Sequence, residues 1–190
     1  FGTYSFLVTF YILYRLLVSS FYRPQIKTSA TYQPTISFVT PAKNEQDNIA
    51  QTLSLMLQID YPKNKIEGIA FNDGSTDKTL AQMKKVEHQA RQLGVKMRVI
   101  DSKWVGKREG MAQGIEKASH EIIICVDSDS FVEPNTVKEL VKYFADPTVG
   151  AVAAHADVYN RNTNFLTRMQ AVWYYISFRV HKASEAIFGN

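Results

Sequence analysis

Ile122–Phe131 reads IIICVDSDSF, an apolar run that ends in two aspartates with one serine between them. A short run of this kind, EIIICVD over 121–127, is expected to be a buried strand of a parallel sheet, and the change to Asp127 and Asp129 marks its carboxyl end. If the strand continues that far, carboxylates two positions apart point to the same side of the sheet. They repel unless a positive group lies beside them. Such a pair either caps the next turn or holds a divalent cation. Hard oxygen ligands suit Mg²⁺ or Mn²⁺, which takes one or two carboxylates and fills its other positions with phosphate oxygens and water.

The rest of the chain repeats the pattern. Strands are predicted at TISFVT (35–40), IEGIAFN (66–72), VKMRVID (95–101) and VGAVAAHAD (149–157), with helices at 46–58, 77–92, 107–118 and 135–145. Strands alternating with helices predict an α/β fold, a doubly wound and mostly parallel sheet with helices on both faces. Ligands of such sheets bind at the carboxyl ends of the strands. Here those ends carry PAKNE (41–45), NDGSTD (72–77) and DSD (127–129). No GxGxxG follows the first strand, which argues against a dinucleotide site.

Composition narrows the class. The 190 residues are 45% hydrophobic, enough for one domain with a core, and the net charge is +4. That excess lies near the start: Arg15, Arg23, Lys27 and Lys43 precede the first acidic residue, Glu45. Without them 18 of the 22 basic residues face 18 acidic ones, so no nucleic-acid partner is expected. Gly2–Tyr22 is long and apolar enough for one bilayer crossing, about 31 Å as a helix. Arg15 is costly there unless it snorkels or faces another helix; the alternative is an amphipathic helix on the membrane or on the domain. Arg23 and Lys27 follow, placing the downstream domain in the cytoplasm beneath the cell membrane. The expected organisation is a transmembrane helix over 1–23, a Pro-containing linker over 24–34 and one domain over 35–190. A cleaved leader fits poorly, since neither a basic start nor a small-residue cleavage site is present. The chain begins at Phe1 and stops within an apolar pattern, so it is expected to be part of a longer protein. Cys125, the single cysteine, is expected to be a buried structural thiol. His88, His120, His155 and His181 have no metal-ligand spacing and read as surface or packing residues.

Each strand end has a local explanation beside a functional one. In FNDGSTDKT, Gly74 permits a positive φ and Ser75, Thr76 or Asp77 can cap a helix. That leaves Asn72 and Asp73 unexplained at the ligand-facing end. In PAKNE, Pro41 ends a strand and Asn44 is suited to capping, yet Glu45 adds a carboxylate to the same edge. In WVGKREGMAQG (104–114), Lys107 and Arg108 begin a helix where cations oppose the dipole. They are either a solvated basic pair or, with the helix terminus, a cradle for an anionic diphosphate.

PAKNE, NDGSTD, GKR and DSD, in that order and each beside a strand or helix start, resemble the family 2 glycosyltransferases of the GT-A fold. The stretch VAAHADVYNRNTNFLTRMQAVWYYISFRVHKASEAIFGN (152–190) is similar to the hyaluronan, chitin and poly-N-acetylglucosamine synthases. Independently, Phe165, Leu166, Met169, Val172, Trp173, Ile176 and Val180 recur at helical spacing within 163–188. This reads as an amphipathic helix over 161–188, packed on the sheet or lying at the membrane surface.

The resemblance implies a UDP-sugar donor, a polysaccharide or oligosaccharide acceptor and a Mg²⁺ or Mn²⁺ cofactor. Ala42, Asn44, Glu45 and Asp73 would contact the nucleotide, and Lys107 with Arg108 the diphosphate. Asp127 would lie by the ribose and donor sugar and share the metal held by Asp129. Asp157, at a predicted strand end, would face the acceptor. One displacement on an α-linked donor would give a β-linked product. In the family the base lies in a Gly-Asp-Asp-like or Thr-Glu-Asp-like motif, followed by Gln-x-x-Arg-Trp. Neither occurs here, so the base is expected beyond Asn190 and the chain alone is expected to bind nucleotide without polymerising. Two other readings stay open: a non-processive transferase acting on a lipid or glycan, and a membrane-anchored nucleotide-binding module whose acidic edge is structural.

Overall fold

The computed structural model describes residues 2–22 and 26–187 and divides into two compact units, Lys27–Val152 and Phe1–Ile26 with Ala153–Asn190. Arg23, half of the basic pair expected after the first helix, lies outside the described residues, as does Asn190.

The unit Lys27–Val152 is built on four parallel strands, β1 (Ile36–Ala42), β2 (Ile66–Asp73), β3 (Lys96–Ser102) and β4 (Ile122–Cys125), in the order β3-β2-β1-β4. The helices between them are α2 (Ile49–Leu57), α3 (Thr79–Gln92) and α4 (Lys107–Glu116); α5 (Thr136–Val141) follows β4 and runs into a 3₁₀ turn over Lys142–Ala145. Central β1 and β2 are buried at every position, as strands covered on both faces must be.

Residue parity shows which helix covers which face. Ile36, Phe38, Ala42, Ile66 and Ala70 join Leu53 and Met56 of α2, Met83 and Val86 of α3 and Val137 and Val141 of α5 in one apolar core. The other face belongs to α4, which lies very close to it. A Cβ on Gly110 would stand 2.9 Å from the Phe71 ring and one on Gly114 2.5 Å from Val39 Cγ1. Helices thus cover both faces, as the alternation predicts.

Three sequence expectations need correction. Residues 149–157 form no strand. A strand needs a neighbour for its amides and carbonyls, and no described strand offers one. Asp127 and Asp129 do not extend β4, which ends at Cys125; a turn follows, closed by Ser130 N–H donating to the Asp127 carbonyl. Cys125 is exposed rather than buried. It lies on the α4 side of the sheet, where α4 covers β1 and β2 but leaves the β4 edge open among the described residues. Partial burial and the neighbouring Asp127 still push its thiol pKa up.

Glu67 sits at the start of β2 and is completely buried. Its carboxylate accepts from Ser37 Oγ (2.8 Å), the Ser119 amide (2.7 Å) and hydroxyl (3.0 Å) and Arg98 (3.1 Å), with Lys96 Nζ at 2.9 Å. Arg98 also donates to the Lys117 carbonyl. Three strands and the turn after α4 therefore converge on one side chain. Burial alone would raise this carboxyl, but the donors outweigh it and hold the pKa at about 2.

The second unit contains α1 (Gly2–Ser20) and a long helical segment made of α6 (Phe165–Tyr175), a π-helical stretch over Ile176–His181 and α7 (Lys182–Ile187). A reciprocal box starts α6: Asn164 accepts from the Thr167 amide at 2.9 Å and donates its own amide to Thr167 Oγ1 at 3.1 Å. Helical segments therefore run over 165–187, within the expected range 161–188, of which residue 188 lies outside the described residues.

Two predictions follow from the α4 face. Because its pKa is depressed, ionised Glu67 contributes stability that is complete above the ordinary carboxyl value of 4.5 and is lost as the pH falls toward about 2. Glu67→Gln is expected to lower stability by roughly 2–4 kcal/mol at neutral pH. The gap between variant and wild type, measured by urea unfolding, should narrow across that acid window. Gly114→Ala gains helix propensity but overpacks against Val39, for a net loss of about 1–2 kcal/mol in the same assay.

Candidate functional site

Most of the motifs meet at the carboxyl ends of β1, β2 and β4. There a pocket is lined by Pro41, Ala42, Lys43, Glu45, Asp73, Lys107, Asp127, Ser128 and Asp129. A larger open depression between α2 and α3, lined by Ser54, Leu57, Gln58, Gln89, Gln92 and Leu93, carries no charged group.

The PAKNE and NDGSTD loops are laced together. Asn44 takes a left-handed φ of 54°, which asparagine tolerates better than most residues. Its amide donates to Ser75 Oγ (3.0 Å), and its Oδ1 accepts from the Thr76 amide (2.9 Å). Glu45 N–H donates to Thr79 Oγ1 at 2.7 Å. Asn44 therefore docks one loop on the other; it neither caps α2, whose N-cap is Asn48, nor lines the pocket. Asp77 accepts from the Thr79 amide at 2.9 Å, close to its expected capping role.

Asp73, buried at the end of β2, holds the next loop. Its Oδ1 accepts from Val105 N–H at 2.6 Å and its Oδ2 from Gly106 N–H at 3.0 Å. Gly74 (φ 66°) makes the close approach possible, since a Cβ there would stand 2.6 Å from the Trp104 amide nitrogen. Neighbouring Asn72 donates to Asp101 at 2.7 Å. Gly106 (φ 94°) then turns the chain into α4 with Lys107 as its first residue. Exposed Trp104 stands beside the loop, with Lys43 Nζ 4.2 Å from its ring centroid.

The aspartate turn is fixed from behind. Val126 N–H donates to the Val39 carbonyl at 3.1 Å, and Thr52 Oγ1 of α2 donates to the Ser128 carbonyl at 2.8 Å. Asp127 and Asp129 thus reach the pocket from a turn. Lys107 Nζ lies 2.6 Å from Asp127 Oδ1, so the positive group that paired carboxylates need is partly supplied by the protein.

The turn after β4 brings two carboxylates, Asp127 and Asp129, and Ser128 to the pocket, all hard oxygen donors. No group of three or more His, Cys, Asp or Glu suited to a metal occurs among the described residues. This set fits a Mg²⁺ or Mn²⁺ ion that shares its coordination with phosphate oxygens and water, and it does not suit a self-contained metal centre.

Of the sequence-derived site residues, Ala42, Glu45, Asp73, Lys107, Asp127 and Asp129 come together, and Arg108 is exposed outside the lining. Asp157 belongs to the other unit, where its Oδ1 lies 3.2 Å from His155 Nε2. Sequence reasoning did not single out Pro41, Lys43 or Ser128 as lining residues, nor Trp104 as the partner of Lys43. Lys43 stood inside a quoted motif, but only the fold reveals its neighbour.

Comparison with known proteins agrees with this arrangement. The family model for glycosyl transferase family 2 matches residues 37–187. The chain is 31% identical over 193 residues to a hyaluronan synthase of Streptococcus pyogenes, covering 100% of this chain and 45% of the relative. It is 30% identical over 155 residues to a poly-beta-1,6-N-acetyl-D-glucosamine synthase of Staphylococcus aureus, covering 81% of this chain and 36% of the relative. It spans less than half the length of either. Among solved structures, the mannosyltransferase PcManGT from Pyrobaculum calidifontis, in complex with GDP-Man and Mn²⁺, superposes with a TM-score of 0.71 at 25% identity, covering 78% of this chain and 44% of that one. S. aureus TarS in complex with UDP-GlcNAc gives a TM-score of 0.52 at 21% identity, over 66% of this chain and 38% of that one, a likeness of fold. The sheet order, the pocket at its carboxyl edge and the family match agree, and the chain belongs to glycosyl transferase family 2.

Proposed function

We propose that this chain is the donor-binding part of a membrane-anchored polysaccharide synthase that transfers a sugar from a UDP-sugar to a growing chain with inversion to a β-linkage. The observation that carries this is the convergence of Asp73, Lys107, Asp127 and Asp129 on one pocket beside the PAKNE loop. As a glycosyl donor breaks through an oxocarbenium-like state, negative charge grows on the departing diphosphate. Lys107, at the amino end of α4, brings an ammonium and the helix's first amides to that charge. Arg108, exposed at the next position, adds a second cation. Ala42 and Glu45 line the nucleotide side of the pocket, Asn44 holds their loop against the Ser75–Thr76 turn, and Asp73 keeps the Val105–Gly106 backbone in place while lining it. Asp129 and Asp127 would hold Mg²⁺ or Mn²⁺, which when bound would neutralise further charge on the leaving diphosphate. Asp157 is assigned to the acceptor side. None of these residues is assigned as the base that takes the acceptor proton.

α1 anchors the protein in the cell membrane with the catalytic unit on the cytoplasmic side, in keeping with Lys27 after the helix and no acidic residue before Glu45. The structural similarity to a mannosyltransferase in complex with GDP-Man and Mn²⁺ favours a second reading, a glycosyltransferase that takes a GDP-sugar at the same donor site.

Titration calorimetry of the chain with UDP tests the donor site, with and without Mn²⁺ and with GDP as the competing nucleotide. Binding is expected to require the metal, to prefer UDP and to vanish in Asp129→Ala. A folded chain that binds UDP equally well without metal and in Asp129→Ala would show the acidic turn to be structural. Lys107→Ala should weaken UDP binding by about tenfold or more, equivalent to ~1.4 kcal/mol, and leave uridine binding unchanged. Supplied with UDP-sugars, the isolated chain is expected to yield no polymer in a radiolabel incorporation assay.

A further inference from the structure

Beside the pocket stands an indole that packs on little protein. Trp104 is 69% exposed, yet the backbone that carries it is fixed. Its amide nitrogen would stand 2.6 Å from a Cβ at Gly74, and the next two amides, Val105 and Gly106, donate to Asp73. A large ring held on a rigid loop and left in water is a surface fitted to a flat partner.

What lies on the ring in the free protein is Lys43, with Nζ 4.2 Å from the centroid. Lys43 lines the pocket and Trp104 does not, so the ammonium covers the ring along the pocket's edge. Glu45, Asp73, Asp127 and Asp129 line the same pocket, but among the described residues the Lys43 ammonium pairs with none of them. Asp127 is taken by Lys107 and Asp73 by the two amides. An exposed cation on an aromatic face is a weaker contact than a nucleobase stacked on that face, so the cover is removable.

Position decides which part of a nucleotide sugar reaches the indole. Gly74 follows β2 and the Asp127–Asp129 turn follows β4, with β1 between the two strands. Two strand spacings, roughly 10 Å, therefore separate Trp104's anchor from the acidic turn. In the donor the sugar is bonded directly to the diphosphate, whereas a ribose stands between the diphosphate and the base. With the diphosphate at Lys107 and the acidic turn, the group that reaches Trp104 is the base.

We propose that Trp104 is the stacking face for the nucleobase of the donor, and that Lys43 covers this face in the free protein and leaves it when the base arrives. The proposal rests on the donor-site reading above. The displaced ammonium stays on the pocket side, where the phosphates bring negative charge.

Trp104 and Trp173 are the two tryptophans of the chain, so a Trp173→Phe chain reports Trp104 alone. In detergent with Mn²⁺, saturating UDP is expected to quench this fluorescence about twofold or more, and inorganic pyrophosphate to leave it nearly unchanged. Equal quenching by pyrophosphate overturns the proposal, since the indole would then be reporting the phosphates. Quenching by a UDP-sugar but not by UDP also overturns it, because that would place the sugar on the ring. By calorimetry, Trp104→Leu should weaken UDP binding about fivefold or more and leave pyrophosphate binding unchanged, while Trp104→Phe should stay within about twofold of wild type. Unaltered UDP affinity in Trp104→Leu, or an equal loss of UDP and pyrophosphate binding, rules out stacking. The fluorescence measurement needs no substitution at 104, so it decides even where Trp104→Leu does not fold. A wild-type chain that binds no UDP sinks the donor site and this proposal together; one that binds UDP without a response from Trp104 sinks the proposal alone. Lys43→Ala, which uncovers the ring, is expected to tighten uridine binding about twofold. Unchanged or weaker uridine binding would remove Lys43 from its covering role.

Discussion

Strand β2 carries a buried carboxylate at each end, and the presentation of Lys107 depends on both. Glu67 ties the starts of three strands to the turn after α4, and Asp73 ties the end of β2 to the loop before it. Between these anchors α4 rests directly on Phe71 and Val39 because Gly110 and Gly114 add no side chain. An ionised carboxylate is expensive to bury, and only a nearly full set of donors offsets that cost. In return it gives direction. An apolar residue at position 67 would fill the space but would not bond to the Ser119 amide, so the far end of α4 could shift along the sheet. A helix that carries a cation to a charged ligand tolerates little such movement, since misplacement by an ångström weakens the contact.

The pocket itself is arranged for exchange. Lys107 and Asp127 meet at 2.6 Å, yet their side chains are 67% and 52% exposed. Ion pairs this open contribute ~1 kcal/mol or less, so the contact is easily given up. In the proposed complex a nucleoside diphosphate carrying a divalent ion would offer each member a stronger partner, the phosphate for Lys107 and the metal for Asp127. The backbone around them is by contrast well fixed, by Val39 and Thr52 on one side and Asp73 on the other. Rigid loops carrying weakly paired side chains are what a site needs when binding should cost little reorganisation.

Much of this was legible in the sequence, because hydrophobic alternation and punctuation coincide. Four apolar runs became four strands, and the polar residues that ended them met at one edge. What could not be read was decided by neighbours in space. The pattern at 149–157 is strand-like, but a pattern alone does not supply a pairing partner. Cys125 looks buried in an apolar run, and only the width of α4's footprint shows that the β4 side of that face stays open. Asp73 was legible as a ligand-facing acid, but its grip on the 105–106 amides was not, since a loop 32 residues downstream supplies the donors. Asn44 is the subtlest case: its type suits a helix cap, yet the left-handed backbone at 44 sends the side chain to the Ser75–Thr76 turn.

The same argument holds where the sequence contradicts itself. An arginine in an apolar helix and an amphipathic helix with its apolar side outward are both faults in a water-soluble protein. The first finds its answer within the same unit. Arg15 needs an acceptor, and the π-helical stretch ends where the His181 carbonyl, with Glu185 one turn on, supplies it. The stripe of α6 stays outward, with Phe165 79% and Leu166 75% exposed. Local conflicts of this kind are where a sequence departs from rules of stability for a reason.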